Sequence, residues 1–118
     1  MTYKQFKIFL DFDGTITKND VGEEIFRKIL NEDIVNKIIE ELVTDKISSR
    51  ECWEKLCELS LIKVKKEFDD LILSQQIDPT LHRFIEYYEA NSFQLYILSD
   101  GFDYYIDKIL NRENLSHL

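Results

Sequence analysis

The chain has 118 residues, a net charge of −8 and 44% hydrophobic residues. That length admits one small domain at most, and the acidic balance argues against nucleic acid as a partner, because a phosphate backbone wants Lys and Arg. One Trp, six Tyr and eight Phe supply a real core, yet no apolar stretch is long enough to span a membrane.

The N-terminus lacks a small-residue cleavage pattern and does not read as a signal peptide. Phe6, Ile8, Phe9 and Leu10 make an apolar run of the kind found in strands buried on both faces of a parallel sheet. The run breaks into Asp11, Phe12, Asp13, Gly14 and Thr15. Two carboxylates two residues apart at the end of a strand point the same way, and Gly14 lets the chain turn away at once. Open α/β sheets bind ligands at this carboxyl edge, so the pair marks a site.

Residues 16–19 form a loop. Asp20 with Glu23 resembles a capping box, opening a helix carried by Val21, Glu24, Ile25, Ile29 and Leu30. Ile34, Val35, Ile38, Ile39, Leu42 and Val43 recur at three and four and predict a second amphipathic helix. Ser48 and Glu51 cap a third, containing Cys52, Trp53, Leu56 and Cys57. Val64, Phe68, Leu71 and Ile72 suggest a fourth. At Asp78-Pro79 an Asp cap precedes a Pro at the first helical position, and Leu81, Phe84, Ile85 and Tyr88 give that helix one apolar face. Residues 93–98 are a second strand. Gly101 turns the chain into a last helix with Phe102, Tyr105, Ile106, Ile109 and Leu110, and residues 111–118 carry no usable pattern. Cys52 and Cys57, five apart on a helix, lie on different sides, so they read as separate thiols in a reducing cytoplasm. Together with His82 and His117 they do not make a zinc set. Phe26, Trp53 and Tyr88 could line a substrate pocket, but apolar packing is the stronger reading for each.

Asp11-Phe12-Asp13-Gly14-Thr15-Ile16-Thr17 resembles the first signature of the haloacid dehalogenase superfamily, whose members are mostly phosphatases. Its four fixed residues arise by chance in about one in 10⁵ windows. Leu95-Tyr96-Ile97-Leu98-Ser99-Asp100-Gly101-Phe102 resembles the second signature, an apolar strand ending in Ser or Thr. The resemblance implies an α/β fold with a Rossmann-like parallel sheet core, contributed by residues 1–15 and 78–118, and a helical cap inserted over 16–77 that excludes water and contacts substrate. Two strands do not complete a parallel sheet. The family's later signatures, a Lys or Arg and a pair of acids, have no match after Asp100. The chain therefore resembles the N-terminal half of the family's domain. It is expected to be inactive alone and to self-associate through an incomplete sheet edge, unless a second chain completes the sheet.

The resemblance also implies chemistry. Asp11 would attack phosphorus and form an aspartyl-phosphate, and Asp13 would be general acid and then base, its pKa raised by the neighbouring carboxylate. Mg²⁺ would be held by the Asp11 carboxylate and the Asp13 carbonyl. Ser99 would donate its hydroxyl to a phosphoryl oxygen, with backbone N–H groups of Gly14 and Asp100 completing the cradle and Gly101 allowing close approach. Read without the resemblance, Ser99 is a helix N-cap. Thr15 supports Asp13, while Thr17 is a loop hydroxyl. Within the family the phosphoserine phosphatase branch fits best, and its position for binding a substrate amino group falls on Asp20, which is equally a helix cap. An arginine expected on a later cap helix has no match near Leu56, so methionine-salvage enol phosphatases and phosphocholine-type phosphatases fit as well. The expected activity is Mg-dependent hydrolysis of a small phosphorylated metabolite. The alternatives are a catalytically incomplete pseudoenzyme or interaction module that keeps a phosphate half-site, and a phosphotransferase with the same intermediate.

Overall fold

The computed structural model describes residues 6–60 and 65–118. Strand β1 (Lys7–Leu10) pairs in parallel with β2 (Gln94–Ile97), Lys7 lying opposite Gln94 and Leu10 opposite Ile97. Leu98 N–H then donates to the Leu10 carbonyl at 2.9 Å, so the pairing runs to the end of both strands. Among the described residues the sheet has these two strands.

Side chains alternate along each strand, as the pleat requires. Ile8, Leu10, Leu95 and Ile97 are half-buried, while Lys7, Phe9, Gln94 and Tyr96 are exposed. Phe9 and Tyr96 stack on each other at 5.4 Å on the open face, remaining 59% and 41% exposed. This corrects the expectation of a strand buried on both faces. Apolar side chains occupy both sides of the ribbon, but only one side is half-covered.

The helices follow the hydrophobic periodicity. They are α1 (Val21–Ile29), α2 (Glu32–Val43), α3 (Ser49–Ser60), α4 (Lys65–Leu73), α5 (Leu81–Ala90) and α6 (Asp103–Arg112). Val64, assigned to the fourth helix from sequence, lies outside the described residues. The Ser48–Glu51 capping box forms: Glu51 N–H donates to Ser48 Oγ at 3.1 Å and Ser48 N–H to Glu51 Oε1 at 3.4 Å. Asp78 does not cap α5 directly. Its carboxylate accepts the Thr80 N–H at 2.7 Å, making a turn through Pro79, and α5 starts at Leu81. In the tail that showed no pattern, Leu115 is buried and its N–H bonds the Leu110 carbonyl at 2.8 Å, which fastens the chain back onto α6.

The contacts divide the chain into two units, Met1–Gly22 with Ile72–Leu118, and Glu23–Leu71. In the first unit the segments leading out of and back into the sheet region are tied together. Thr17 pairs with Ile77 in an antiparallel bridge. Lys18 N–H bonds the Gln76 carbonyl at 2.9 Å, and Asp78 N–H the Ile16 carbonyl at 2.8 Å. In the second unit α2 packs on α3, joined by a Lys55–Glu41 ion pair at 2.9 Å. The Phe26 and Trp53 rings meet at 5.9 Å, as packing residues do. Cys52 and Cys57 are free thiols, both pushed above the usual cysteine value by burial. No helix among the described residues is long and apolar enough to cross a membrane.

Candidate active site

Every residue singled out from the two motifs lies in the first unit. The strand register explains why. Leu10 and Ile97 are paired, so the chain leaves the sheet at neighbouring points as Asp11 on one side and Ser99 on the other. Asp11 is exposed, in extended conformation (φ −69°, ψ 153°), and its Oδ1 accepts the Phe12 N–H at 2.8 Å.

The loop after Asp11 is wound tightly around one hydroxyl. Gly14 takes a left-handed φ of +74°, which costs little only for glycine. Thr17 is 1% exposed. Its Oγ1 accepts the Gly14 N–H at 3.1 Å and donates to the Asn19 carbonyl at 2.6 Å. Its N–H bonds the Phe12 carbonyl at 3.1 Å. Thr17 is thus the organiser of the turn rather than a simple loop hydroxyl, whereas Thr15 is exposed. The Gly14 N–H, expected in the phosphate cradle, is engaged inside the loop with Thr17 and with the Asn19 carbonyl at 3.2 Å.

Asp13 points inward. Its Oδ1 accepts the Val21 N–H at 2.8 Å, so the carboxylate sits at the N-terminus of α1. Its Oδ2 accepts the Tyr105 hydroxyl at 2.6 Å. Burial raises the Asp13 carboxyl above its ordinary value of 3.8; bonds from Tyr105, Val21 and Gly22 oppose that rise, and the charge of Asp100 adds to it. The predicted direction therefore holds, but its cause is corrected: burial acts first, and the like charge that contributes is Asp100, not Asp11. Burial, followed by the Asp13 bond and charge, also pushes the Tyr105 phenol well above its usual value, so it stays a donor.

On the second loop, Ser99 Oγ accepts the Gly101 N–H at 3.0 Å. This leaves the Ser99 proton available for donation, since a hydroxyl both donates and accepts. Ser99 is not the cap of α6, which begins at Asp103 with Phe102 in the capping position. Asp100 is exposed, and Gly101 meets the first loop. A Cβ built on Gly101 would lie 1.9 Å from the Tyr105 hydroxyl oxygen and 2.8 Å from Asp13 Oδ2. Asp20 is exposed just before α1, and its charge reaches Tyr105. Tyr105 was read from sequence only as a core position on the last helix. Its partner lies 92 residues away, and no local signal announces that contact.

The paired parallel strands, with motif loops at their carboxyl ends, are similar to the first part of the haloacid dehalogenase hydrolase fold, with an incomplete sheet among the described residues. Three solved structures make the likeness specific. A haloacid dehalogenase family hydrolase from Salmonella enterica serovar Typhi matches 92% of this chain and 38% of its own, at TM-score 0.82 and 18% identity. A phosphoserine phosphatase solved as a phospho-aspartyl intermediate analogue matches 97% of this chain and 55% of its own, at TM-score 0.74 and 25% identity. A phosphoserine phosphohydrolase-like protein from Francisella tularensis SCHU S4 matches 95% and 55%, at TM-score 0.64 and 21% identity. This chain spans about half the length of the phosphoserine phosphatase chains it resembles. No protein-family profile and no curated protein matches it.

Proposed function

We propose that the chain carries the nucleophile-bearing part of a phosphomonoester phosphatase acting on a small phosphorylated metabolite. One observation carries the reading. The parallel register brings an exposed carboxylate, Asp11, and a hydroxyl, Ser99, to the same end of the sheet, and the loop after β1 holds a second, half-buried carboxyl, Asp13, whose pKa is raised. A nucleophile should be accessible, and a general acid gains from a pKa above the ordinary carboxylate value; the exposed Asp11 and the half-buried Asp13 differ in that sense.

In the proposed reaction an Asp11 carboxylate oxygen attacks phosphorus. The ester P–O bond breaks, and its electron pair leaves with the alcohol oxygen, which takes the Asp13 proton. Water then attacks the aspartyl-phosphate phosphorus, Asp13 accepts a proton from it, and the acyl-phosphate bond opens to restore Asp11. Ser99 and the Asp100 N–H bind phosphoryl oxygens, with Gly101 keeping the approach clear and Thr15 flanking it. Magnesium fits the donor chemistry: the Asp11 carboxylate and Asp13 carbonyl are hard oxygens. Among the described residues no group of three acidic, His or Cys side chains forms a ready cage, so phosphate and water would supply the remaining ligands. The ion would neutralise charge on the phosphoryl group. Asp20, exposed just before α1, would meet the amino group of a phosphoserine-like substrate on this reading. The free thiols suit a reducing cytoplasm, and the two-stranded sheet among the described residues supports self-association through its incomplete edge.

The test is magnesium-dependent hydrolysis of p-nitrophenyl phosphate by the protein, with Asp11→Asn as control. Turnover lost in the variant by at least about a thousandfold supports the reading. An Asp11→Asn protein as active as the wild type overturns the assignment of the nucleophile. Absence of turnover, with phosphate still bound, favours the half-site reading, which the two-stranded sheet supports.

A further inference from the structure

Asp13 is held from two directions. The Val21 N–H reaches Oδ1 at 2.8 Å and the Tyr105 hydroxyl reaches Oδ2 at 2.6 Å. One donor on one oxygen leaves a carboxyl free to turn about its last bond. Two donors, one on each oxygen and from separate elements, fix its plane. Tyr105 is only 3% exposed, and its ring packs at 6.0 Å from that of Phe12 and 6.3 Å from that of Phe102. The phenol is therefore anchored by its own surroundings rather than by the bond it makes. The absence of a side chain at Gly101 is a second, independent observation. A Cβ there would collide with the Tyr105 hydroxyl and crowd Asp13 Oδ2, so the loop after β2 closes directly over this contact.

We propose that Tyr105 is a positioning residue that fixes the Asp13 carboxyl for proton transfer to the leaving oxygen. The inference rests on the phosphatase reading above. Each carboxyl oxygen has a second lone pair beyond the one its donor uses, so the clamp leaves room for the proton to be delivered. Tyr105 gains and loses no proton in the step. It donates before and after the ester bond breaks, and only the Asp13 proton moves to the alcohol.

The role separates from mere packing through the leaving group. Nitrophenolate departs with little help from an acid, whereas an alkoxide needs the proton. Tyr105→Phe keeps the ring and removes one oxygen. The measurement is kcat/KM of wild type and variant for p-nitrophenyl phosphate and for glycerol 2-phosphate. The expected result is a fall of about tenfold or more for the alkyl ester, a fraction of what general acid catalysis contributes, with the aryl ester within about twofold. Equal losses for the two esters, or a faster variant, overturn the positioning role. If Tyr105→Phe does not fold, 3-fluorotyrosine at position 105 keeps both ring and hydroxyl and changes only donor strength. The alkyl-to-aryl ratio should then shift, and an unshifted ratio again overturns the role. A wild-type protein that hydrolyses neither ester points instead to the half-site reading given above, an outcome distinct from a failure of the Tyr105 assignment.

Discussion

The loop after β1 closes on itself, while the loop after β2 closes on something else. In the first, Phe12, Ile16 and Thr17 are buried, and the Thr17 hydroxyl gathers the Gly14 N–H and the Asn19 carbonyl around itself. In the second, Leu98 is 68% exposed and Asp100 is open to solvent. The Ser99 hydroxyl makes a single turn contact, to Gly101 N–H. Two loops that leave paired strand ends at the same level therefore take their rigidity from different sources, one from its own hydrogen bonds and the other from packing across Gly101. On the proposed reading, a nucleophile gains from a self-supporting frame, and a phosphate-binding hydroxyl gains from an open one.

The largest expected effect is at the point where the two loops meet. Gly101→Ala forces a methyl into the space of a buried phenol, and overpacking of this kind costs about 2–3 kcal/mol. A urea midpoint unchanged from wild type would show that the Tyr105 ring swings aside freely, and the two loops would then be independent. A smaller effect separates the loops themselves. Thr17→Val removes the hydroxyl's bonds to the Gly14 N–H and the Asn19 carbonyl, leaving them only their mutual 3.2 Å bond, and should cost about 1–2 kcal/mol, whereas Ser99→Ala loses one partly exposed contact and should cost under about 1 kcal/mol. The reverse order in unfolding free energy would break the comparison. The smallest effect is a pH dependence. The folded-state pKa of Asp13 is raised, so its contribution to stability is fully present below the ordinary value of 3.8 and is lost as pH rises through the folded value. Asp13→Asn should therefore gain a few degrees in Tm relative to wild type at neutral pH, with the gain shrinking toward acid. A difference independent of pH would mean that the carboxyl is not desolvated.

Much of this was legible in the chain. Asp11, Asp13 and Gly14 after one apolar run, and Ser99 with Gly101 after another, carry both the fold and the candidate site, because strand ends and turn residues are local signals. The Ser48–Glu51 cap was readable for the same reason, since both of its partners sit within one turn. The run Phe6 to Leu10 misled about burial. Periodicity reports which side chains are apolar, not whether a neighbouring element covers them. Thr17 and Tyr105 were undervalued because their weight lies in partners that no pattern displays: a carbonyl two residues on at a particular turn angle, and a carboxylate 92 residues back.

Gly101 also constrains how the sequence can drift. Its missing Cβ and the Tyr105 hydroxyl occupy one volume, so neither position is free to change by itself. A lineage that places alanine or serine at 101 must first shorten the residue at 105, and a lineage that gives up the hydroxyl releases 101 from glycine. Two sites four residues apart should thus be inherited as a single character.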